Sequence, residues 1–362
     1  MKKVLIVFNH PAPYKVRLFN ELAKNMELSV IFERGKNKDR SKSFYSENKY
    51  QFNLVKVHGL KLGNENFISS GVKKHIKKNK YDLIVMNGYS QFAEMKAIRY
   101  MQKKNIPYAL FINGGIINHK ESNWKKNLKT SYISKAKFYL SPDNESNKYL
   151  EYYGAVPDKI FNYPYSTVYE KEIAKKPLGE NDKKAIKEKY GIVGEKIFVS
   201  AGQLIKRKNY QTLIECWKDM PNDHHLYIFG DGKEHNRYAK IIQDLHLNNV
   251  HLHGFLPKEE LFKVFSVSNV FIFPSNEDIY GHVINESLSQ GLPVISNLNV
   301  NSAKKLLNKS TGILTNDFSA KNVLHSLKEV EANTTFEDCI KIAKENTIEM
   351  MSESITKSLL EN

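Results

Sequence analysis

Short, largely apolar runs, each closed by a polar or Gly/Pro-containing turn and followed by a helical pattern, recur along this chain. They restrict its fold more than any other feature. In the first half they are Val4 to Phe8, Leu28 to Phe32, Asp82 to Met86, Tyr108 to Ile112 and Phe138 to Leu140. Helical patterns lie between them around Val16 to Ala23, Val72 to Lys78 and Phe92 to Gln102. A strand that is apolar on both faces belongs inside a parallel sheet, and the βα alternation calls for right-handed crossovers. The pattern resumes at Lys196 and continues to about Val330, after a stretch from Tyr169 to Glu195 that reads as a linker plus a surface helix. At 362 residues the chain is long enough for two domains of ~150 residues each. The predicted fold class is α/β, with two Rossmann-like doubly wound domains over 1–165 and 166–335 and one amphipathic helix over 336–362.

Several function classes drop out early. The turn after the first strand reads FNHPAPY and lacks the GxGxxG dinucleotide fingerprint, which argues against a nicotinamide enzyme. The two cysteines, Cys216 and Cys339, are far apart and have no metal-ligand spacing, so no disulfide framework or zinc site is expected. The apolar run Val4 to Phe8 falls short of the ~7 residues of a signal-peptide core, and no stretch approaches the ~20 apolar residues of a membrane span. A cytoplasmic protein, peripheral at most on the inner face of the membrane, is expected.

Chemistry concentrates in the second half. The segment FIFPSNEDIYGHVINESLSQGLPVIS, residues 271–296, places an apolar strand before a polar loop and then a helix opening near Val283. Gly281 allows close backbone approach, and the amides at His282 and Val283 would seat an anion at the helix start. Glu277, Asp278 and Glu286 flank that seat with carboxylates able to accept hydrogen bonds from sugar or ribose hydroxyls. Alone, the segment reads equally well as a plain strand-loop-helix connection whose Glu286 favours the helix dipole. Upstream, VSAGQLIKRKN at 199–209 ends a strand in a small-residue turn followed by Lys206, Arg207 and Lys208. Such a charge run is either a solvated face or, at the ligand-binding end of an α/β sheet, a phosphate contact.

These residues resemble the retaining glycosyltransferases of family 4, which have the two-domain GT-B fold. The resemblance places Gly202, Gln203 and Lys208 at the family's glycine, basic and lysine positions around the donor diphosphate, with Arg207 beside them. Gln203 departs from the usual basic residue there. The family's paired acids, seven residues between them, fall on Asp278 and Glu286, with aspartate in place of the commoner first glutamate and Glu277 as a rival. Tyr227 to Gly232 (YIFGDG), Val250 to Leu256 (VHLHGFL) and Gly291, Pro293, Val294 and Ile295 also match.

The resemblance implies a retaining hexosyl- or N-acetylhexosaminyltransferase. Its donor is a nucleotide-sugar, with a UDP-sugar favoured; Lys208, Arg207, Asp278 and Glu286 are its catalytic set, and it needs neither cofactor nor metal. It also implies that the terminal helix crosses back to the first domain and that the acceptor lies in a cleft between domains. On the first domain the candidate acceptor contacts are His10, Tyr14, Asn113, Gly114, Gly115 and His119.

Charge bears on the acceptor. Residues 1–165 hold 30 Lys and Arg against 13 Asp and Glu, leaving 25 against 26 for the rest. One cluster is Lys73, Lys74, Lys77, Lys78 and Lys80. A second, Lys125, Lys126, Lys129, Lys135 and Lys137, is threaded with Trp124, Leu128, Tyr132 and Ile133. The latter reads either as a helix lying on an anionic membrane or as a solvated helix packing Leu128 and Tyr132 inward. The expected acceptor is a saccharide, lipid-linked, in the assembly of capsule, exopolysaccharide or another surface glycoconjugate. A catalytically silent partner subunit, a nucleotide-sugar epimerase and a nucleic-acid-binding protein are the alternatives, the last set aside for want of a binding motif.

Overall fold

The computed structural model describes residues 1–33, 49–57, 60–62, 66–68 and 71–362. The chain divides into two compact units, one of residues 1–165 with 348–362, the other of residues 166–347.

Unit 1 runs β1 (Lys3–Phe8), α1 (Pro13–Leu22), β2 (Glu27–Phe32), β3 (Asn53–Val55), the short antiparallel pair β4 (Leu60–Leu62) and β5 (Asn66–Ile68), α2 (Gly71–Lys78), β6 (Leu83–Met86) and α3 (Phe92–Lys103). It continues through β7 (Tyr108–Phe111), α4 (Asn123–Ile133), β8 (Tyr139–Ser141), α5 (Asn144–Tyr152) and β9 (Ile160–Asn162). Seven strands form one parallel sheet in the order β3-β2-β1-β6-β7-β8-β9. The central strands β1, β6 and β7 are buried along all their apolar residues, and only Lys3 at the start of β1 is exposed. Strands β3 and β9 were not expected: each has only three residues and lies at a sheet edge, where half-exposure weakens the apolar signal.

The basic α4 turns Tyr132 and Ile133 into the core and leaves Trp124 65% exposed. Of its lysines, Lys126 lies 4.1 Å over the Tyr152 ring and Lys129 bonds Glu121 at 2.8 Å. The inward-packing reading therefore describes its C-terminal half, and its first turn remains open to solvent.

Unit 2 opens with α6 (Glu180–Tyr190), which Gly191 stops in the left-handed conformation (φ 63°) while the Ile192 amide returns to the Lys187 carbonyl at 2.8 Å. Then follow β10 (Lys196–Ala201), α7 (Tyr210–Cys216), β11 (His224–Phe229), α8 (His235–Asp244), β12 (Val250–His253), α9 (Lys258–Phe265) and β13 (Val270–Phe273). The unit closes with α10 (Val283–Leu288), β14 (Val294–Ser296), α11 (Asn301–Leu306), β15 (Gly312–Leu314), α12 (Ala320–Asn333) and α13 (Phe336–Glu345). Six parallel strands order as β12-β11-β10-β13-β14-β15, the doubly wound 3-2-1-4-5-6 arrangement.

The stretch 336–362, expected as one helix, is two. Unit 2 keeps α13; α14 (Ile348–Glu361) packs on α1 in unit 1. Asn346 leaves helical geometry (φ −129°, ψ 61°), and its carbonyl accepts the Asn285 side-chain amide at 2.8 Å instead of continuing the helix. Amphipathic spacing persists across the break, so periodicity alone reads through it.

One ladder carries a pH signature. His225 and Tyr227 of β11 stack on His251 of β12 at 5.2 and 4.4 Å, and His225 Nδ1 lies 3.0 Å from His251 Nε2. Burial, aided by the neighbouring His225 and His253, holds His251 down at about 4, against an ordinary 6.5. The unfolded chain therefore takes up a proton that the folded one refuses. Stability is unaffected above pH 6.5, falls as pH drops from 6.5 to about 4, and the penalty is complete below that. Allowing for the ring's partial exposure, the expected loss is on the order of 2 kcal/mol. Urea midpoints at pH 7 and pH 4 measure it, and the drop should shrink in His251→Phe.

Candidate donor site

In unit 2 the strand order reverses between β10 and β13, and the loops leaving their C-terminal ends flank the crevice where open α/β sheets bind ligands. After β10 the chain passes Gly202, exposed Gln203 and a short 3-10 turn, Lys206–Lys208, before Asn209 (φ 56°) redirects it into α7. Two glycines of the YIFGDG segment position this loop. The Gly202 amide bonds the Phe229 carbonyl at 2.9 Å and the Leu204 amide bonds that of Asp231 at 2.9 Å. A Cβ on Gly230 would stand 1.9 Å from the Gly202 carbonyl oxygen, and one on Gly232 2.4 Å from that of Leu204.

The β13 loop is tied to the same turn. The Asn276 amide bonds the Arg207 carbonyl at 3.0 Å, Ser275 Oγ donates to the Glu277 carbonyl at 2.9 Å, and Arg207 donates to that carbonyl too. Lys208 Nζ forms a short ion pair with Asp278 Oδ2, and Arg207 Nη1 lies 3.8 Å from the same oxygen. Lys208 and Asp278 side chains are only 10% and 16% exposed, whereas Arg207 is open to solvent. Burial lowers the Lys208 pKa, and Asp278 opposes that shift. The Phe273 ring sits 4.5 Å beneath the ammonium. Two cations facing one carboxylate leave a net positive patch, which suits an incoming anion.

Asp278, expected to present a free carboxylate to sugar hydroxyls, is thus engaged by Lys208; its Oδ1 also accepts the Tyr280 amide at 3.4 Å. Glu277 is exposed and contributes its backbone here. Gly281 (φ 91°) is wedged where a Cβ would meet Val300 at 2.8 Å, and Ser302 Oγ donates to its carbonyl at 2.8 Å. Half-buried His282 packs its ring 5.0 Å from Tyr280 and directly precedes Val283, whose amide at the first helical position has no intrahelical acceptor. Glu286 accepts from Thr167 Oγ1 at 2.7 Å, leaving Oε2 without a hydrogen bond among the described residues. Thr167 had no signal in the sequence.

In unit 1, His10 follows β1, half-buried Tyr14 lies in the first turn of α1, and Asn113 to Gly115 follow β7. Gly115 has a packing reason: a Cβ there would meet the Tyr149 ring at 2.4 Å. Exposed His119 stacks edge-on against Tyr152 at 5.6 Å, apart from any cluster of polar groups the sequence singled out. Sequence reading missed Lys15, which is fully buried and bonds Asn113 Oδ1 at 2.6 Å. A signal was present, since Lys15 shares the helical stripe of Leu18, Phe19 and Leu22.

Residues 182–347 match the family described as glycosyl transferases group 1. The second unit carries a group 1 glycosyltransferase domain. The match ends where unit 2 ends. Over 140 residues the chain is 25% identical to the lipopolysaccharide core biosynthesis glycosyltransferase LpsE of Rhizobium meliloti (strain 1021), covering 38% of this chain and 40% of that one. It thus spans about two fifths of LpsE. It is 28% identical over 326 residues to an uncharacterized 41.2 kDa protein in the cps region of Klebsiella pneumoniae, covering 85% and 84% of the two chains.

Among solved structures, Anabaena HepE in complex with UDP superposes with a TM-score of 0.78 at 15% identity over 99% of this chain and 100% of that one. That likeness is one of fold, and with the two parallel-sheet units it makes this a GT-B protein. Within the glycosyltransferase domain, the Lys208–Asp278 pair lies at the switch point of the sheet. Among the described residues no helix is long and apolar enough to cross a membrane, and no cluster of three or more His, Cys, Asp or Glu is arranged to hold a metal ion.

Proposed function

We propose that this protein transfers a sugar from a nucleotide diphosphate donor to a hydroxyl of a saccharide acceptor, with retention of anomeric configuration, as a family 4 hexosyl- or N-acetylhexosaminyltransferase. The observation that carries this reading is the buried Lys208, joined by Arg207, on the switch-point crevice of a group 1 domain. Both cations would stabilise charge developing on the leaving diphosphate, an electrostatic contribution that needs no cofactor or metal. Glu286, with one oxygen held by Thr167 and the other without a hydrogen bond among the described residues, suits the ribose hydroxyls. Asp278 would share Lys208 with the diphosphate and turn a carboxylate oxygen to the sugar. The leaving phosphate oxygen itself would take the acceptor proton. A UDP-sugar is the favoured donor, supported by the UDP complex of the HepE fold relative.

Calorimetric titration with UDP, GDP and ADP tests the donor assignment. Saturable binding of UDP in preference to the other two is expected; binding of none would overturn the reading in favour of a silent partner subunit.

We further propose a lipid-linked acceptor in surface polysaccharide assembly at the inner face of the cell membrane. The basic first half, the solvent-facing Trp124 beside Lys125 and the LpsE and cps-region relatives support it. Each lysine near an anionic surface contributes ~1 kcal/mol. Flotation with anionic vesicles at low salt should exceed that with neutral ones, and equal flotation would remove the charge argument.

A further inference from the structure

Unit 1 has its own switch point, between β1 and β6, and three polar side chains meet beside it. Lys15, in the first turn of α1, is 0% exposed and lies 4.4 to 5.6 Å from the rings of Tyr165, Phe111, Phe8 and Tyr14. No carboxylate pairs with it among the described residues, and burial pushes its pKa well down. Among the described residues the one hydrogen bond of its side chain is to Asn113 Oδ1 at 2.6 Å. The Lys15 ammonium has donors only, so it meets Asn113 at the amide oxygen and directs the Asn113 NH2 the other way. That NH2 donates to Asn87 Oδ1 at 2.6 Å, which in turn forces the Asn87 NH2 outward. Among the described residues the outward NH2 has no acceptor, and the space above the adjoining Gly88 is open.

A carboxamide is otherwise free to flip, and here a buried cation fixes two in series. We infer that Lys15 is a positioning residue that orients the Asn113 and Asn87 amides, so that Asn87 presents N–H donors to an oxygen of the acceptor substrate at the unit 1 switch point. That an acceptor sugar occupies this place rests on the proposed function; the outward N–H donors of Asn87 do not. The shared ligand chemistry is a hydrogen-bond-accepting oxygen, borne by a sugar hydroxyl or by a phosphate.

The test follows the side-chain amide resonances of Asn87 and Asn113 in 15N-labelled protein during separate titrations with methyl α-D-glucopyranoside and inorganic phosphate, each up to its solubility limit. Saturable movement of the Asn87 pair with the glucoside identifies a hydroxyl subsite, and with phosphate an anionic one; movement with neither overturns the inference. Lys15→Met should weaken the response at least tenfold and split or broaden the Asn113 resonances as its amide loses its fixed direction. Should that variant fail to fold, Asn87→Asp keeps the inward acceptor oxygen, loses only the outward donor, and should abolish the response. An unchanged response in the folded Lys15→Met, or in Asn87→Asp, also overturns it. UDP affinity, measured on the same samples, reports on unit 2 alone. Its absence in the wild type would sink the transferase reading without touching the Asn87 result.

Discussion

Replacing Lys208 with alanine should lower turnover by 10²- to 10³-fold, about 3 to 4 kcal/mol of transition-state stabilisation, the range for losing one preorganised donor to a developing oxyanion. Two features of the site place it at the upper end. The ammonium is buried, so its field is little screened by water. Its substitution also leaves the Asp278 carboxylate with only the exposed Arg207, 3.8 Å away, so the proposed diphosphate would meet a like charge. Affinity for UDP should fall along with turnover, because under the proposed function the same cation would meet the ground-state diphosphate. Lys208→Arg should recover little, since the ammonium sits over Phe273 in a space tied on both sides by backbone hydrogen bonds. Because burial lowers the Lys208 pKa, the alkaline limb of kcat/KM in the wild type should fall at a pH below the ordinary lysine value of 10.5. Steady-state kinetics across pH with a UDP-sugar, beside UDP calorimetry, measure all of this. A Lys208→Ala enzyme with unchanged turnover would remove Lys208 from the chemistry.

Which parts of this protein are legible in its sequence follows from where its signals are local. Buried parallel strands such as β1 and β13 are apolar on both faces and announce themselves, and the turn residues after them set the loops at the binding edge. The Lys208 and Asp278 segments were therefore found as separate candidates. Their ion pair joins residues 70 positions apart and depends on the neighbouring placement of β10 and β13, a topological fact that no local pattern carries. Thr167, 119 positions from Glu286, is hidden for the same reason. The break at Asn346 is set by a tertiary hydrogen bond from Asn285, which overrides an intact amphipathic period.

Lys15 is a different case. The sequence marks it as a charge on an apolar stripe, a local conflict of the kind that tends to coincide with a functional site. Its meaning depends on Asn113, which was singled out for another reason, and on Asn87, which was not singled out at all. The charge count of the first half, by contrast, was plain from the sequence but ambiguous in use, and the structure divides it. Lys126 and Lys129 are engaged with Tyr152 and Glu121, while Trp124 and Lys125 remain at the surface.

Gly230→Ala should be the most damaging single methyl group in the glycosyltransferase domain. Gly230 directly follows β11 with φ 151°, a conformation L side chains rarely adopt, and the new Cβ would lie 1.9 Å from the Gly202 carbonyl oxygen and 2.9 Å from its carbon. Both obstructing atoms are backbone, so no rotamer change relieves the overlap. Relief requires β10 and β11 to separate at their C-terminal ends. That separation would break the Gly202 to Phe229 and Leu204 to Asp231 hydrogen bonds, each contributing about 1 kcal/mol, and add strain of ~1 to 3 kcal/mol for the unfavourable φ. The expected destabilisation is therefore ~3 to 5 kcal/mol, with UDP affinity reduced even in the molecules that remain folded, because the displaced segment leads directly into Lys208. Gly254→Ala is the matched control, since nothing lies within 4 Å of its would-be Cβ. Chemical denaturation of the two variants in parallel measures the difference; a Gly230→Ala protein as stable as Gly254→Ala would show that the loop after β10 is not held by this contact.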